Sequence, residues 1–114
     1  MRRLVGDLRA LPMASAISVA ITEYPHRDFS LVDVNSGGCS KGSTLERWTV
    51  ARGLDAAEVL AVGDNLNDVE MLEFAGTAVV MGNAMADLKS RGWHVTGTND
   101  EGGLADAIRH FVGR

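Results

Sequence analysis

The sequence has almost no cysteine, no long apolar run and no excess of basic residues, and each shortage excludes a class of protein. Cys39 is the only cysteine, so an internal disulfide is impossible and a reducing, cytoplasmic location is expected. No apolar segment approaches the roughly 20 residues that a membrane-spanning helix needs. The formal net charge of −4 gives no reason to expect nucleic acid or an anionic membrane as a partner.

The N-terminal segment also lacks the full pattern of a secretory signal. Residues 1–16 begin with a basic pair and end in small residues, as a signal would. Asp7, Arg9 and Pro12 interrupt what would be its apolar centre, so we reject a signal peptide.

At 114 residues the chain forms one domain at most, and its 46% of hydrophobic residues can supply a core.

Polar residues are concentrated directly after the most apolar segment of the chain. Residues 59–62 form an unbroken apolar run that predicts a buried strand, and Gly63 ends it. In an open α/β sheet, ligands bind just beyond the carboxyl ends of the strands. Asp64 and Asp68 can face one pocket across the strand-to-helix turn, which suits a hard cation such as Mg2+ held by oxygen ligands. Four polar residues share this turn: Asp64, Asn65, Asn67 and Asp68.

Capping is the alternative explanation of this cluster, because Asn and Asp are common in turns and at helix N-caps. Capping accounts for one or two of the four polar residues. It does not require an aspartate directly after an apolar strand and a second one four positions later. The spacing alone therefore leaves both metal or phosphate chemistry and capping open.

Lys41 stands at the start of a helix that is predicted over residues 43–52. At a phosphate site, a lysine supplies a compact positive charge and three hydrogen-bond donors. A solvated lysine at a helix start is the commoner case. A cation in the first turn opposes the helix dipole, which favours a functional role for Lys41. Within this helix, Trp48 is predicted to pack in the core.

The pattern after residue 41 alternates helices with strands, which predicts an α/β fold. Strands are expected at 59–63, 78–81 and 93–96. The alternation is typical of a Rossmann-like three-layer arrangement, with a parallel sheet, flanking helices and right-handed crossovers. Further helices are expected at 67–75, from an N-cap at Asn83 to Arg91, and at the C-terminus, where an apolar face is formed by Leu104, Ile108, Phe111 and Val112.

Two further strands are predicted before this alternation. Residues 14–22 and 29–34 read as strands joined by a turn, which indicates a β-hairpin. Residues 35–38 contain two glycines and are expected to form a flexible linker.

Several separated motifs resemble those of the haloacid dehalogenase (HAD) superfamily. The sequence GDNLND at residues 63–68 resembles the fourth motif of that superfamily, in the form found in Cof-type sugar-phosphate phosphatases. Ser40-Lys41-Gly42 resembles the third motif, a lysine that opens a helix. Residues 81–84 and 98–100 follow in the order of the Cof-type pattern, and the resemblance covers roughly residues 30 to 114.

The resemblance implies Mg2+-dependent hydrolysis of a phosphate monoester, in particular a sugar phosphate, so that the partner is a small phosphorylated metabolite. Asp64 and Asp68 are then expected as metal ligands and catalytic residues. Lys41 is expected to act in catalysis and to bind phosphate, together with Asn67. Asn65 and Asn83 are further candidates, although Asn83 is more readily explained as a helix cap.

The chain departs from the family pattern in one essential respect, because it has no DxD motif. In the family the first aspartate of that motif is the nucleophile and the second is the general acid and base. The nearest sequence, Asp33-Val34-Asn35, has an amide in place of the second carboxylate and lies too close to Lys41. Residues 1–38 therefore resemble a cap remnant with its linker, and residues 39–114 the C-terminal half of the core. A fragment without its nucleophile is expected to have little or no activity alone.

A half-core of this kind would leave one edge of its parallel sheet uncovered, and such an edge invites pairing. We expect a homodimer, pairing with the missing N-terminal half, or a replacement edge built from residues 14–34. The alternative function is a non-catalytic HAD remnant that binds metal or phosphate, or that serves as an interaction module.

Overall fold

A computed structural model of the chain describes residues 2–12, 14–24 and 29–112. It contains two small sheets, with helices between and beside their strands. The helices are α1 (Arg2–Arg9), α2 (Lys41–Ala51), α3 (Val69–Phe74), α4 (Ala86–Lys89) and α5 (Gly103–Phe111). The strands are β1 (Ile17–Glu23), β2 (Ser30–Ser36), β3 (Leu60–Gly63), β4 (Thr77–Val80) and β5 (His94–Val95).

The C-terminal sheet is parallel, with the strand order β3-β4-β5. Helices α3 and α4 follow β3 and β4 in the chain, so the predicted α/β alternation with a parallel sheet and flanking helices is confirmed. The core packs strand side chains against these helices, since apolar burial is the main favourable term in folding. Its buried members are Ala61, Leu72, Val80, Ala84 and Leu88.

The N-terminal sheet is the predicted hairpin, in which β1 and β2 pair antiparallel from Ile17 with Ser36 to Glu23 with Ser30. The hairpin is confirmed, but β2 continues through Ser36, so half of the expected linker belongs to the strand. The prediction stopped too early because Asn35 and Ser36 are polar. Both residues are exposed, and polar side chains are readily accommodated on such a ribbon.

Helix α2 begins earlier than predicted because serines cap it. The hydroxyl of Ser40 accepts a hydrogen bond from Ser43 N at 3.0 Å, and Ser43 Oγ accepts one from Ser40 N at 2.9 Å. This reciprocal pair satisfies two donors that a helix start leaves unpaired. Lys41 is consequently the first residue of the helix.

Helices α2 and α3 lie in close contact because Gly42 has no side chain. A Cβ atom at Gly42 would lie 2.5 Å from Glu70 Cβ and 2.6 Å from the carbonyl carbon of Glu70. Ser40 Oγ also donates a hydrogen bond to Glu70 Oε2 across the same contact. The close approach brings the start of α2, and with it Lys41, against the residues that precede α3.

Three features of the sequence were interpreted wrongly. Helix α1 was not predicted, because only eight residues form it and Val5 is its one buried residue. Asn83 does not cap α4, since Met85 stands at the N-cap and the helix begins at Ala86. Trp48 was expected in the core, but half of it is exposed, because it lies where α2 faces a depression rather than another helix.

Part of the apolar surface is uncovered within the described residues. Strand β3 is an edge of the parallel sheet, and the hairpin forms a sheet of its own, so the expectation of a replacement edge from residues 14–34 is wrong. On α5 the buried residues are Gly103 and Ala107, whereas Leu104 and Ile108 are about half exposed.

Across residues 2–12, 14–24 and 29–112, no helix combines the length and apolarity that crossing a bilayer requires.

Candidate phosphate and metal site

The predicted site residues are carried by a turn at the carboxyl end of β3, which we call the site loop (residues 64–68). The loop folds back on the strand because Gly63 leaves room for it. A Cβ atom at Gly63 would lie 2.6 Å from the Cβ of Asp68. Any side chain at Gly63 would therefore push Asp68 out of its place.

Asp68 is the buried anchor of the site loop, with a side chain that is only 6% exposed. Its Oδ1 atom accepts a hydrogen bond from Lys41 Nζ at 2.5 Å. Its Oδ2 atom accepts hydrogen bonds from the backbone N of Asp64 at 2.9 Å and of Asn65 at 3.2 Å. Both oxygens of Asp68 are thus engaged within the protein, as a buried carboxylate requires.

Lys41 is brought to the site loop by the contact between α2 and α3, and its side chain is 52% exposed. The ammonium group bonds to Asp68 with one donor, and about half of the side chain faces solvent. Because a lysine ammonium has three donors, Lys41 can bind Asp68 and an anionic ligand at the same time.

Asp64 lies at the tip of β3 and is exposed. Partial burial of its carboxyl group raises the pKa of Asp64, and the neighbouring charge of Asp68 raises it further, whereas Lys41 lowers it. The net upward shift means that the ionised form of Asp64 is under-compensated by positive charge. Two carboxylates beside one ammonium group carry a net negative charge, which a further cation could neutralise.

The donor set fits a hard cation in part. Asp64 offers a carboxylate at the exposed tip, and oxygen ligands of this kind are those that Mg2+ prefers. The oxygens of Asp68 already accept three hydrogen bonds. Within the part of the chain that the structure describes, no group of three or more His, Cys, Asp or Glu side chains could hold a metal ion. Any further ligands would come from substrate, from water or from other polypeptide.

A depression of about 650 Å³ lies beside the site loop. Lys41, Asp64 and Asp68 form its polar wall, and Asn99 lines it from the loop after β5. Its apolar lining consists of Val62, Met71, Met81 and Leu104. The structure thus brings together the three residues for which the sequence predicted catalysis.

Asn65 and Asn67 point away from this depression and contact the hairpin. Asn67 Nδ2 donates a hydrogen bond to Thr22 Oγ1 at 3.3 Å, and Asn65 bonds to the backbone of Glu23. No local pattern predicts these contacts, because they join residues more than 40 positions apart. Asn67 also lines a second depression, of about 910 Å³, between the hairpin and α2.

Asn83 supports the rim of the site from a neighbouring loop. Its Oδ1 atom accepts a hydrogen bond from the backbone N of Asn99 at 2.8 Å, which ties the loop after β4 to the loop after β5. Asn99 lines the smaller depression, so Asn83 acts on it through Asn99.

The structure is that of an α/β protein in which two carboxylates and one lysine lie together beside a depression at the tip of β3. A profile of the haloacid dehalogenase-like hydrolases matches residues 13–108. The chain therefore belongs to this family, and the resemblance seen in its motifs is confirmed.

Curated relatives are similar over about 70% of the chain. Pyridoxal phosphate phosphatase YbhA of Escherichia coli is 47% identical over 81 residues, which cover 71% of this chain and 28% of that protein. The phosphatase YcsE of Bacillus subtilis, which acts on 5-amino-6-(5-phospho-D-ribitylamino)uracil, is 42% identical over 81 residues, covering 71% of this chain and 32% of YcsE. The chain thus spans about a third of the length of these relatives.

Solved structures agree with the fold. A haloacid dehalogenase-like hydrolase from B. subtilis superposes with a TM-score of 0.78 at 35% identity, covering 96% of this chain and 36% of the other. A sugar phosphatase of HAD subclass IIB gives a TM-score of 0.77 at 28% identity, covering 99% of this chain and 40% of the other. The hairpin lies within the matched part of the chain in both cases.

Proposed function

We propose that this chain is the metal- and phosphate-binding part of a Mg2+-dependent phosphohydrolase that acts on phosphate monoesters. The observation that carries the proposal is the convergence of Lys41, Asp64 and Asp68 at the tip of β3. The relatives are named as phosphatases of chemically different esters, so the shared chemistry is that of the phosphate group. A small phosphorylated metabolite, such as a sugar phosphate, is the proposed substrate.

Each of the site residues has a separate task in this proposal. Asp64 would hold Mg2+, which supplies charge neutralisation at the phosphate when it is bound. Lys41 would donate to a phosphate oxygen and offset its charge during transfer. Asp68 fixes the ammonium of Lys41 and the backbone of the site loop, a positioning role that its three hydrogen bonds support. Asn67 would donate its second Nδ2 hydrogen to the phosphate while its first stays bonded to Thr22 Oγ1.

A non-catalytic function is the second candidate, and the absence of a DxD motif in this sequence favours it for the chain as given. In this case the chain binds Mg2+ and phosphate, or another polypeptide, without turnover. The two candidates differ in Mg2+-dependent hydrolysis of p-nitrophenyl phosphate. Turnover that is lost in Asp64→Asn indicates the enzyme, and binding without turnover indicates the remnant.

Lys41→Met is expected to weaken binding of inorganic phosphate by about tenfold or more, since a charge-assisted hydrogen bond is lost. Isothermal titration in the presence of Mg2+ measures this change. The matched control is Lys89→Met, because Lys89 lies on α4, outside the lining of the site depression, and its Nζ donates to the carbonyl oxygen of Gly82. Equal phosphate affinity in wild type and Lys41→Met would contradict the role of Lys41.

We also propose that the free edge of β3 and the apolar side of α5 bind further polypeptide, which for the isolated chain is a second copy. No strand within residues 2–12, 14–24 and 29–112 pairs with the outer edge of β3, and Leu104 and Ile108 are about half exposed, which supports this proposal. Size-exclusion chromatography with light scattering is expected to give a mass above that of one chain. Ile108→Lys is expected to return it to a single chain. A monomer at all concentrations for the wild-type protein would exclude self-association.

A further inference from the structure

The site loop is joined to the edge of the hairpin by a side-chain amide that replaces a backbone partner. Asn65 Oδ1 accepts a hydrogen bond from Glu23 N at 3.2 Å, and Asn65 Nδ2 donates one to Glu23 O at 2.9 Å. Both backbone polar groups of Glu23 are therefore bonded to one side chain. A primary amide can do this because it presents a donor and an acceptor side by side, as a peptide group does.

Asn65 also caps the turn that follows it. Its Oδ1 atom accepts a second hydrogen bond, from Leu66 N at 2.8 Å. The capping role needs only an oxygen, and aspartate would serve it equally well. The contact with the Glu23 carbonyl needs an N–H donor, and aspartate cannot supply one at neutral pH. Capping therefore leaves the choice of asparagine at this position unexplained, and the contact with β1 explains it.

Next to this pair, Asn67 reaches the same strand through Thr22. Between the hairpin and α2 lies the depression of about 910 Å³, whose lining includes Lys41 and Asn67 from the site and Ala20 and Ile21 from β1. The hairpin is therefore one wall of a space that opens onto the proposed phosphate-binding residues. The contacts of Asn65 with Glu23 and of Asn67 with Thr22 join this wall to the site loop.

We propose that Asn65 is a positioning residue that fastens β1 to the site loop, so that ligand binding at the loop and the placement of the hairpin wall are coupled. The inference rests on the proposed function in one respect, because it takes inorganic phosphate with Mg2+ as the ligand of the loop. The wall would face the organic part of a phosphate ester, whose phosphate lies at Lys41.

Asn65→Asp is the variant that separates the two tasks of Asn65. It keeps an oxygen for Leu66 N and places a charged oxygen against the Glu23 carbonyl oxygen, in place of a donor. Repulsion between this oxygen and the Glu23 carbonyl oxygen is expected to move β1 away from the site loop, so that Glu23 N also loses its acceptor. Amide hydrogen exchange at Glu23 is then expected to become about tenfold faster, which corresponds to the loss of one net hydrogen bond. Asn83→Asp is the matched control, because Asn83 uses only its oxygen, toward Asn99 N. It is expected to leave exchange at Glu23 unchanged.

A second measurement follows the coupling itself by NMR. Titration of the wild-type chain with inorganic phosphate and Mg2+ is expected to shift the amide signals of Lys41 and Asp64 and those of Thr22 and Glu23. In Asn65→Asp the first pair of shifts is expected to persist and the second to disappear. A residue that only stabilises the fold would alter the melting temperature without separating the two pairs.

The outcomes distinguish a failure of the coupling from a failure of the function. Wild-type shifts at Lys41 and Asp64 without shifts at Thr22 and Glu23 would overturn the coupling alone. Unchanged exchange at Glu23 in Asn65→Asp would overturn the positioning role. Absence of any shift at Lys41 and Asp64 would instead contradict the proposed phosphate site.

Discussion

Asp68→Ala is expected to lower the free energy of unfolding by about 2–3 kcal/mol, because a buried carboxylate with three hydrogen bonds is removed. The backbone N–H groups of Asp64 and Asn65 lose their acceptor. The side chain of Lys41 is half exposed, so its ammonium group can bind water instead, and its contribution to the loss is the smallest. The site loop then lacks the hydrogen bonds that hold it against the end of β3.

Urea unfolding followed by circular dichroism measures this change. Asp106→Ala is the control, because Asp106 lies on the surface of α5 in a local ion pair with Arg109 and should change the stability by less than about 0.5 kcal/mol. We also expect Asp68→Ala to lose phosphate binding, since Lys41 is no longer held. An unfolding midpoint close to that of the wild type would show that Asp68 does not anchor the loop.

Asp64→Asn is expected to reduce Mg2+ affinity at least tenfold and, in the absence of metal, to raise the melting temperature slightly. The loss of affinity follows from removal of the charged ligand. A tenfold loss corresponds to about 1.4 kcal/mol of binding free energy. The gain in stability follows from the pKa of Asp64, which is raised in the folded chain by partial burial and by Asp68. Ionised Asp64 is thus unfavourable in the metal-free fold.

The sign of the pH dependence follows from the same shift. Because the folded chain binds a proton at Asp64 more readily than the unfolded chain does, the stabilisation is fully present below the unfolded pKa. It is lost as the pH rises through the folded pKa. The stability difference between Asp64→Asn and the metal-free wild type should therefore grow from acidic to neutral pH, and Mg2+ should reverse it. Thermal melts with and without Mg2+ test this, with Asp106→Asn as control.

Two other results for Asp64→Asn would contradict its proposed role. If Asp64→Asn binds Mg2+ as tightly as the wild type, the cation lies elsewhere or is not bound by this chain. If the substitution instead lowers the stability of the metal-free chain, the charge of Asp64 is compensated by groups other than Lys41.

The centre of the fold could be predicted from the sequence because local signals and tertiary contacts agree there. The apolar run at 59–62 ends at a glycine, and both the strand and the turn after it are found where the pattern indicated. The grouping of Asp64 and Asp68 with Lys41 followed from motif spacing. The different roles that we propose for the two aspartates did not, because they depend on which oxygens already accept hydrogen bonds from the backbone.

The remaining features depend on contacts between distant parts of the chain. Asn83 is of a residue type common at N-caps and stands shortly before a helix, but its Oδ1 atom accepts a hydrogen bond from Asn99 N, sixteen residues away. The apolar face of α5 was recognised from its periodicity, which cannot tell whether a partner covers it. The contact of Asn65 with Glu23 joins two segments 42 residues apart, and no local pattern encodes it.

The most direct test of the proposed site is an NMR titration of the isotopically labelled wild-type chain with inorganic phosphate in the presence of Mg2+. The proposed site predicts saturable shifts that are largest for the amides of Lys41, Asp64 and Asn67, and that vanish in Asp64→Asn or when Mg2+ is chelated. Shifts that centre on another surface, or that are the same with and without Mg2+, would contradict it.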